Sequence, residues 1–157
     1  MDRHCLRSIL QEYKVARKSK REIPVEQRYR LNERHYGNLT GLGKRSAALS
    51  SLPPRELRRW RSTLDGKPPP LDPTSSIYSE IRDACDAKAL AREGLTLPLT
   101  ESIGDCCARV APLWRDEIRP RVIERGQTVL VVGHANNLRA LIRCVQGVPM
   151  LALALQT

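Results

Sequence analysis

Glu33-Arg34-His35-Tyr36 places a carboxylate, a permanent cation, an imidazole and a phenol in four consecutive residues, inside RLNERHYGNLTGLGK at 30–44. A carboxylate exchanges a proton with a substrate hydroxyl most readily when its pKa is raised toward neutrality. The adjoining cations suit an anionic ligand. A surface turn with a Glu–Arg pair is the plainer reading, but Gly37, Gly41 and Gly43 give more freedom than a turn needs. The second concentration of chemistry is His134, which follows the apolar run 127–132 and stands two residues before Asn136. A lone histidine is more often structural. Here it adjoins an expected helix N-terminus, whose free N–H groups attract anions.

These residues need elements to position them. The β-branched run Gln127-Thr-Val-Leu-Val-Val132 predicts a strand buried on both faces. Gly133 and His134 end it, and Asn136 or Asn137 is the expected cap of the helix LRALIRCVQ. Strand, sharp turn and helix form the unit of a parallel α/β sheet, and ligands collect at the carboxyl ends of such strands. Upstream, Pro24 precedes VEQRYRL, where the alternation of Val25, Gln27, Tyr29 and Leu31 predicts a half-buried strand. Residues 32–43 read as an ordered loop.

Pro53 and Pro54 predict the start of a helix running through ELRRWRSTL and stopping before Gly66. The following GKPPPLDP is expected to be extended, since each proline fixes φ and biases its predecessor away from helix. Ile103, Cys106, Val110, Leu113, Ile118 and Val122 give one apolar face of a helix beginning beside Glu101, which Pro112 and Pro120 should bend or divide. Near the N-terminus, Leu6, Ile9, Leu10 and Tyr13 fall at helical spacing. The cluster RKSKR at 17–21 is read as a solvated helix end opposing the dipole, ahead of a nucleic-acid patch.

The chain of 157 residues is long enough for one domain with a core, and 27 Lys and Arg against 17 Asp and Glu leave a net charge of +10. That balance makes phosphates or other anions the first partners to consider. An apolar fraction of 41% with 28% charged residues argues against disorder, and no run of about 18 apolar residues spans a bilayer. Aromatic residues at 4%, with no Phe, disfavour a reader of stacked bases. Cys5, Cys85, Cys106, Cys107 and Cys144 are odd in number and irregular in spacing, and no secretory leader precedes them. They are read as reduced structural thiols in an intracellular protein, with no zinc site and no other metal expected.

The loop at 30–44 is similar, nearly residue for residue, to the signature loop of the 2,3-bisphosphoglycerate-dependent phosphoglycerate mutases of the histidine phosphatase superfamily. WRSTLDGKPPPLD at 60–72, Glu101-Ser102, PLWRDEIRP at 112–120 and VLVVGHANNLRALI at 129–142 resemble further stretches of that family in the same order, so that the similarity covers residues 5 to 147. The resemblance implies a three-layer α/β fold with a mainly parallel sheet and flanking helices, here incomplete, residues 1–157 forming a single partial domain. It implies a cytoplasmic enzyme of glycolysis and gluconeogenesis, an isomerase that interconverts 2- and 3-phosphoglycerate through a phosphohistidine. The cofactor it implies is 2,3-bisphosphoglycerate, without a metal, and the partner is the small-molecule substrate, with neither nucleic acid nor membrane. A homo-oligomer is compatible with it. By this resemblance Glu33 is the proton donor and acceptor, and His134 stabilises the transferring phosphoryl group. Arg34, His35, Tyr36, Lys44, Arg61, Ala135 and Asn136 bind substrate along with Glu33, and Ser62 occupies the place of a second arginine.

Departures from the family pattern accompany the matches. Ser62 stands where the second arginine of a pair is expected, unless a gap in the alignment lets Arg58 and Arg59 take that place; Ala135 replaces a glycine, and Leu64 replaces an aromatic residue. No Arg-His-Gly triplet, which carries the family's phosphoryl-accepting histidine, occurs in the sequence, and LALALQT at 151–157 ends within an apolar stretch. The chain therefore reads as a mutase fragment holding the acid/base and phosphate-binding half. Alternatives are a catalytically inactive remnant or anion-binding interaction module, a superfamily phosphatase, and a basic nucleic-acid-binding protein.

Overall fold

The computed structural model describes residues 24–42, 52–85 and 87–147. The described residues are helical and contain no strand, which corrects the expected α/β parallel sheet. The helices are α1 (Pro54–Ser62), α2 (Ser76–Ala84), α3 (Ala87–Arg92), α4 (Ile103–Pro112) and α5 (Ala135–Gln146). Short 3-10 turns occupy Tyr29–Leu31 and Gly37–Leu39. Wide π-type turns carry Leu113–Ile118 and Pro120–Glu124.

The two expected strands fail for identifiable reasons. In the first, Glu93 accepts the N–H groups of Tyr29 and Arg30 at 2.9 and 3.2 Å, and Arg109 donates to the carbonyls of both residues at 3.2 and 2.7 Å. Side chains thus take the groups that a strand ladder would use. The second, 127–133, takes no regular secondary structure, and among the described residues no strand lies beside it to pair with. It is also not buried on both faces: Val129 and Val131 pack on the core, whereas Leu130 is 78% exposed.

Local signals explain the helices that do form. Pro54 occupies the first turn of α1, where its missing N–H costs nothing, and Arg59 and Arg61 fall in the last turn against the negative end of the dipole. Ser75 caps α2 by accepting from the Tyr78 N–H at 3.2 Å. Neither α2 nor α3 was anticipated from the sequence. At α4, Ser102 accepts from the Asp105 N–H at 3.0 Å while Asp105 accepts from the Ser102 N–H at 2.8 Å, a reciprocal capping box. The expected long helix does divide: Pro112 and Pro120 lack the N–H of a regular ladder, and the turns widen from Leu113 onward. α5 starts two or three residues earlier than expected, with His134 rather than an asparagine at its N-cap, and Gly147 ends it in the left-handed conformation.

The core lies where α4 packs on α5 and on the π-type turns. Cys106, Cys107, Val110, Leu113, Ile118, Ala140 and Leu141 form it, with Leu31, Trp114 and Val122 partly buried against it. Each large apolar side chain buried there contributes about 1.5–3 kcal/mol. The thiols behave as small hydrophobes, and burial pushes Cys106 up to about 12. The expected N-terminal helix, the basic cluster at 17–21 and the apolar residues 151–157 lie outside the described residues. No helix among the described residues is long and apolar enough to cross a membrane.

Candidate functional site

The loop holding Glu33 is fixed by a buried ion pair. Arg109 on α4 meets Glu101 in two-pronged fashion, Nε to Oε1 at 2.6 Å and Nη2 to Oε2 at 2.9 Å, both side chains almost fully buried. The same guanidinium donates to the carbonyls of Tyr29, Arg30 and Asn32, the last at 3.0 Å. Glu101 in turn accepts the His35 N–H at 2.9 Å, and its own N–H donates to the His35 carbonyl at 2.9 Å. Residues 29–35 are therefore held by backbone bonds to two side chains whose charges compensate each other. Sequence reasoning missed Arg109. The available signal was a cation between Cys106, Val110 and Leu113, on the apolar face of its helix.

Beyond this clamp, Glu33 reaches the start of α5. Its Oε1 accepts from the Arg34 N–H at 2.8 Å and from Asn136 Nδ2 at 2.9 Å, and its Oε2 lies 3.9 Å from His134 Nδ1. Asn136 Nδ2 carries two hydrogens, and the second goes to the Tyr36 hydroxyl at 2.7 Å. Tyr36 keeps its own O–H proton free to donate elsewhere. Burial raises the Tyr36 pKa, so the phenol stays protonated, and the charge of Arg61 acts on it from the end of α1. Glu33 and His134 are both partly open to solvent. The first N–H groups of α5, from Ala135 on, face the same end of the helix.

Arg34 is placed differently from the pocket-lining cation expected. It is 3% exposed, and it donates Nε, Nη1 and Nη2 to the carbonyls of Glu101, Trp60 and Gly66 at 2.7, 2.7 and 3.0 Å. Its charge joins the loop to the end of α1 and the start of α4. His35 is also turned inward: Nδ1 accepts the Gly37 N–H at 3.1 Å, and the buried Nε2 has no partner. Burial lowers its pKa and keeps the ring neutral.

Gly37 has φ +56, and a Cβ there would lie 2.0 Å from the Pro69 carbonyl oxygen, so the loop follows the triple proline closely. The Asn38 N–H donates to that same oxygen at 2.9 Å. Arg61 is exposed, while the Ser62 hydroxyl bonds back to the Arg58 carbonyl and is engaged with its own helix. Lys44 lies outside the described residues.

Glu33, Tyr36, His134 and Asn136 thus converge, with Arg61 within electrostatic reach. Chemically the group offers a carboxylate able to take or give a proton, a phenol donor, an imidazole and a helix N-terminus suited to an anion. Among the described residues no cluster of His, Cys, Asp and Glu is arranged to hold a metal ion. The chain matches no protein-family model.

Proposed function

We propose that the chain carries the acid/base and phosphoryl-binding half of a 2,3-bisphosphoglycerate-dependent phosphoglycerate mutase site, acting on 2- and 3-phosphoglycerate in the cytoplasm. The single observation that carries the reading is the approach of Glu33 to His134 at 3.9 Å, with Asn136 of the same helix start bonded to Glu33, from two segments far apart in sequence. Glu33 exchanges a proton with the substrate hydroxyl. His134, Arg61 and the N-terminal N–H groups of α5 hold the phosphoryl oxygens, and Tyr36 donates to the ligand. Fixed donors aimed at a phosphate stabilise charge without reorganising during the reaction.

A second reading, an inactive form that binds anionic metabolites, is favoured by one observation: the sequence holds no Arg-His-Gly triplet to take up the phosphoryl group. The two readings share the binding step and differ in turnover. Calorimetric titration of the purified chain with 3-phosphoglycerate and 2,3-bisphosphoglycerate is expected to show binding that His134→Ala weakens. An interconversion assay on the same sample is expected to show no turnover. Turnover would restore the full enzyme reading, and absence of binding at millimolar ligand would remove both.

A further inference from the structure

Residues 67–73, Lys-Pro-Pro-Pro-Leu-Asp-Pro, form a proline ridge to which the phosphoglycerate reading gives no task. Each proline fixes φ, and each residue before a proline is held out of the helical region, so 67–69 are confined to the polyproline II region. That conformation has three residues per turn and therefore three edges. Burial follows the same period. Pro68 and Leu71 are almost fully buried, whereas Lys67, Pro69, Pro70, Asp72 and Pro73 are exposed. One edge is thus packed into the protein and two face solvent.

Hydrogen bonds anchor the packed edge. The Pro68 carbonyl accepts from Thr100 Oγ1 at 2.8 Å, the Pro69 carbonyl accepts from the Asn38 N–H at 2.9 Å, and the Leu71 N–H donates to the Leu99 carbonyl at 2.9 Å. Among the described residues the carbonyls of Lys67 and Pro70 accept nothing, which leaves two acceptors for a partner's donors. Beside the ridge lies a cavity of about 480 Å³ lined by Trp60 and the three prolines. Charge completes the pattern: Lys67 stands one polyproline turn before Pro70, and Pro73 follows Pro70 by three residues. The Lys67 ammonium lies 2.8 Å from Asp105, with side chains 50% and 41% exposed. An exposed pair of this kind is weak enough for a partner's carboxylate to displace it.

We propose that residues 67–73 are the docking site for a folded proline-recognition module of the SH3 type, whose aromatic-lined groove receives the two outer edges and whose carboxylate takes Lys67 from Asp105. The chain's own packing already fixes the run, so little ordering cost is left to binding. The inference is independent of the phosphoglycerate reading.

The test is a nuclear magnetic resonance titration of the full labelled chain with an SH3 domain that takes peptides of the form Lys/Arg-x-x-Pro-x-x-Pro, such a peptide serving to show that the domain is active. The amides of Lys67, Leu71 and Asp72 are expected to shift together and to saturate. Lys67→Glu is expected to weaken binding by about tenfold or more, and Asp105→Asn, which releases Lys67, to tighten it by about two- to fivefold. Pro70→Ala should weaken it as well, with the Trp60 and Leu99 amides unmoved in the free variant to show that the fold is kept. No shift at a millimolar concentration of active domain, or shifts confined to other parts of the chain, would overturn the proposal. Binding indifferent to Lys67→Glu would assign the ridge to a module that reads prolines without the cation, and would overturn it too. So would binding by the capped peptide 67–73 but not by the chain, which would show that the packed edge denies access.

Discussion

Asn136 Nδ2 donates to Glu33 Oε1 at 2.9 Å and to the Tyr36 hydroxyl at 2.7 Å, so one amide sets two side chains of the loop against the start of α5. Both hydrogens of that nitrogen are used; without the amide, Glu33 Oε1 keeps only the Arg34 N–H and the Tyr36 hydroxyl loses its donor. Asn136→Ala is expected to weaken 3-phosphoglycerate binding by about tenfold, the equivalent of one or two net hydrogen bonds. Asn136→Asp should weaken it more, since a second carboxylate then faces Glu33 and the ligand. Calorimetry on the two variants checks the order, and wild-type affinity in either would show that the bridge does not shape the site.

Ser62 offers a gain rather than a loss. Its hydroxyl is turned back to the Arg58 carbonyl, at the end of the helix that brings Arg61 within electrostatic reach of Tyr36. Ser62→Arg is expected to tighten phosphoglycerate binding several-fold at low salt, with the gain falling as salt screens it. Unchanged affinity at both ionic strengths would place residue 62 outside the site.

The Glu101–Arg109 pair carries the stability of the loop. Glu101→Gln leaves a buried guanidinium without its carboxylate and is expected to cost about 3–5 kcal/mol. Urea unfolding followed by circular dichroism measures it. A loss below about 1 kcal/mol, the level of an exposed pair, would show that the pair is not closed in solution.

His35 gives the fold a pH dependence of determined sign. Burial lowers its folded pKa below the ordinary value of 6.5, with the Glu101 charge opposing and the Arg109 charge assisting. The unfolded chain therefore binds the proton first as pH falls. The stability that depends on a neutral His35 is fully present above about 6.5, declines as pH drops toward the lowered folded value, and changes no further below it. Denaturation midpoints between pH 7.5 and 5 are expected to fall in the wild type, and His35→Gln should flatten that fall. An equal slope in both proteins would assign the effect to other groups.

Much of the site was legible because it rests on side-chain types close in sequence. Glu33 and Tyr36 stand three residues apart, as do Gly133 and Asn136, and a helix start after an extended run is a local signal. The α1 and α4 boundaries were equally local, set by Pro54 and by the Ser102–Asp105 box. What failed was pairing, which is not local. The period-two pattern at Val25–Leu31 says that a strand is affordable, but Glu93 and Arg109, distant in sequence, take its backbone groups. The run Val129–Val132 has the composition expected of a strand but forms none, because nothing within a strand's own sequence shows whether another lies beside it. Arg34 was misplaced for a related reason: a cation in a polar loop looks like a ligand group until the carbonyls of Trp60, Gly66 and Glu101 surround it.

The most direct test of the central claim, that Glu33 and His134 belong to one phosphoglycerate site, is a nuclear magnetic resonance titration of the labelled chain with 3-phosphoglycerate. The amides of Tyr36 and Asn136 are expected to shift together with a single dissociation constant, and His134→Ala and Glu33→Gln should each weaken both responses. Sulfate at equal ionic strength should shift the Asn136 amide with little effect on Tyr36, because it supplies a phosphate-like anion without the glycerate. Separate midpoints for the two amides, or responses indifferent to both substitutions, would contradict the claim.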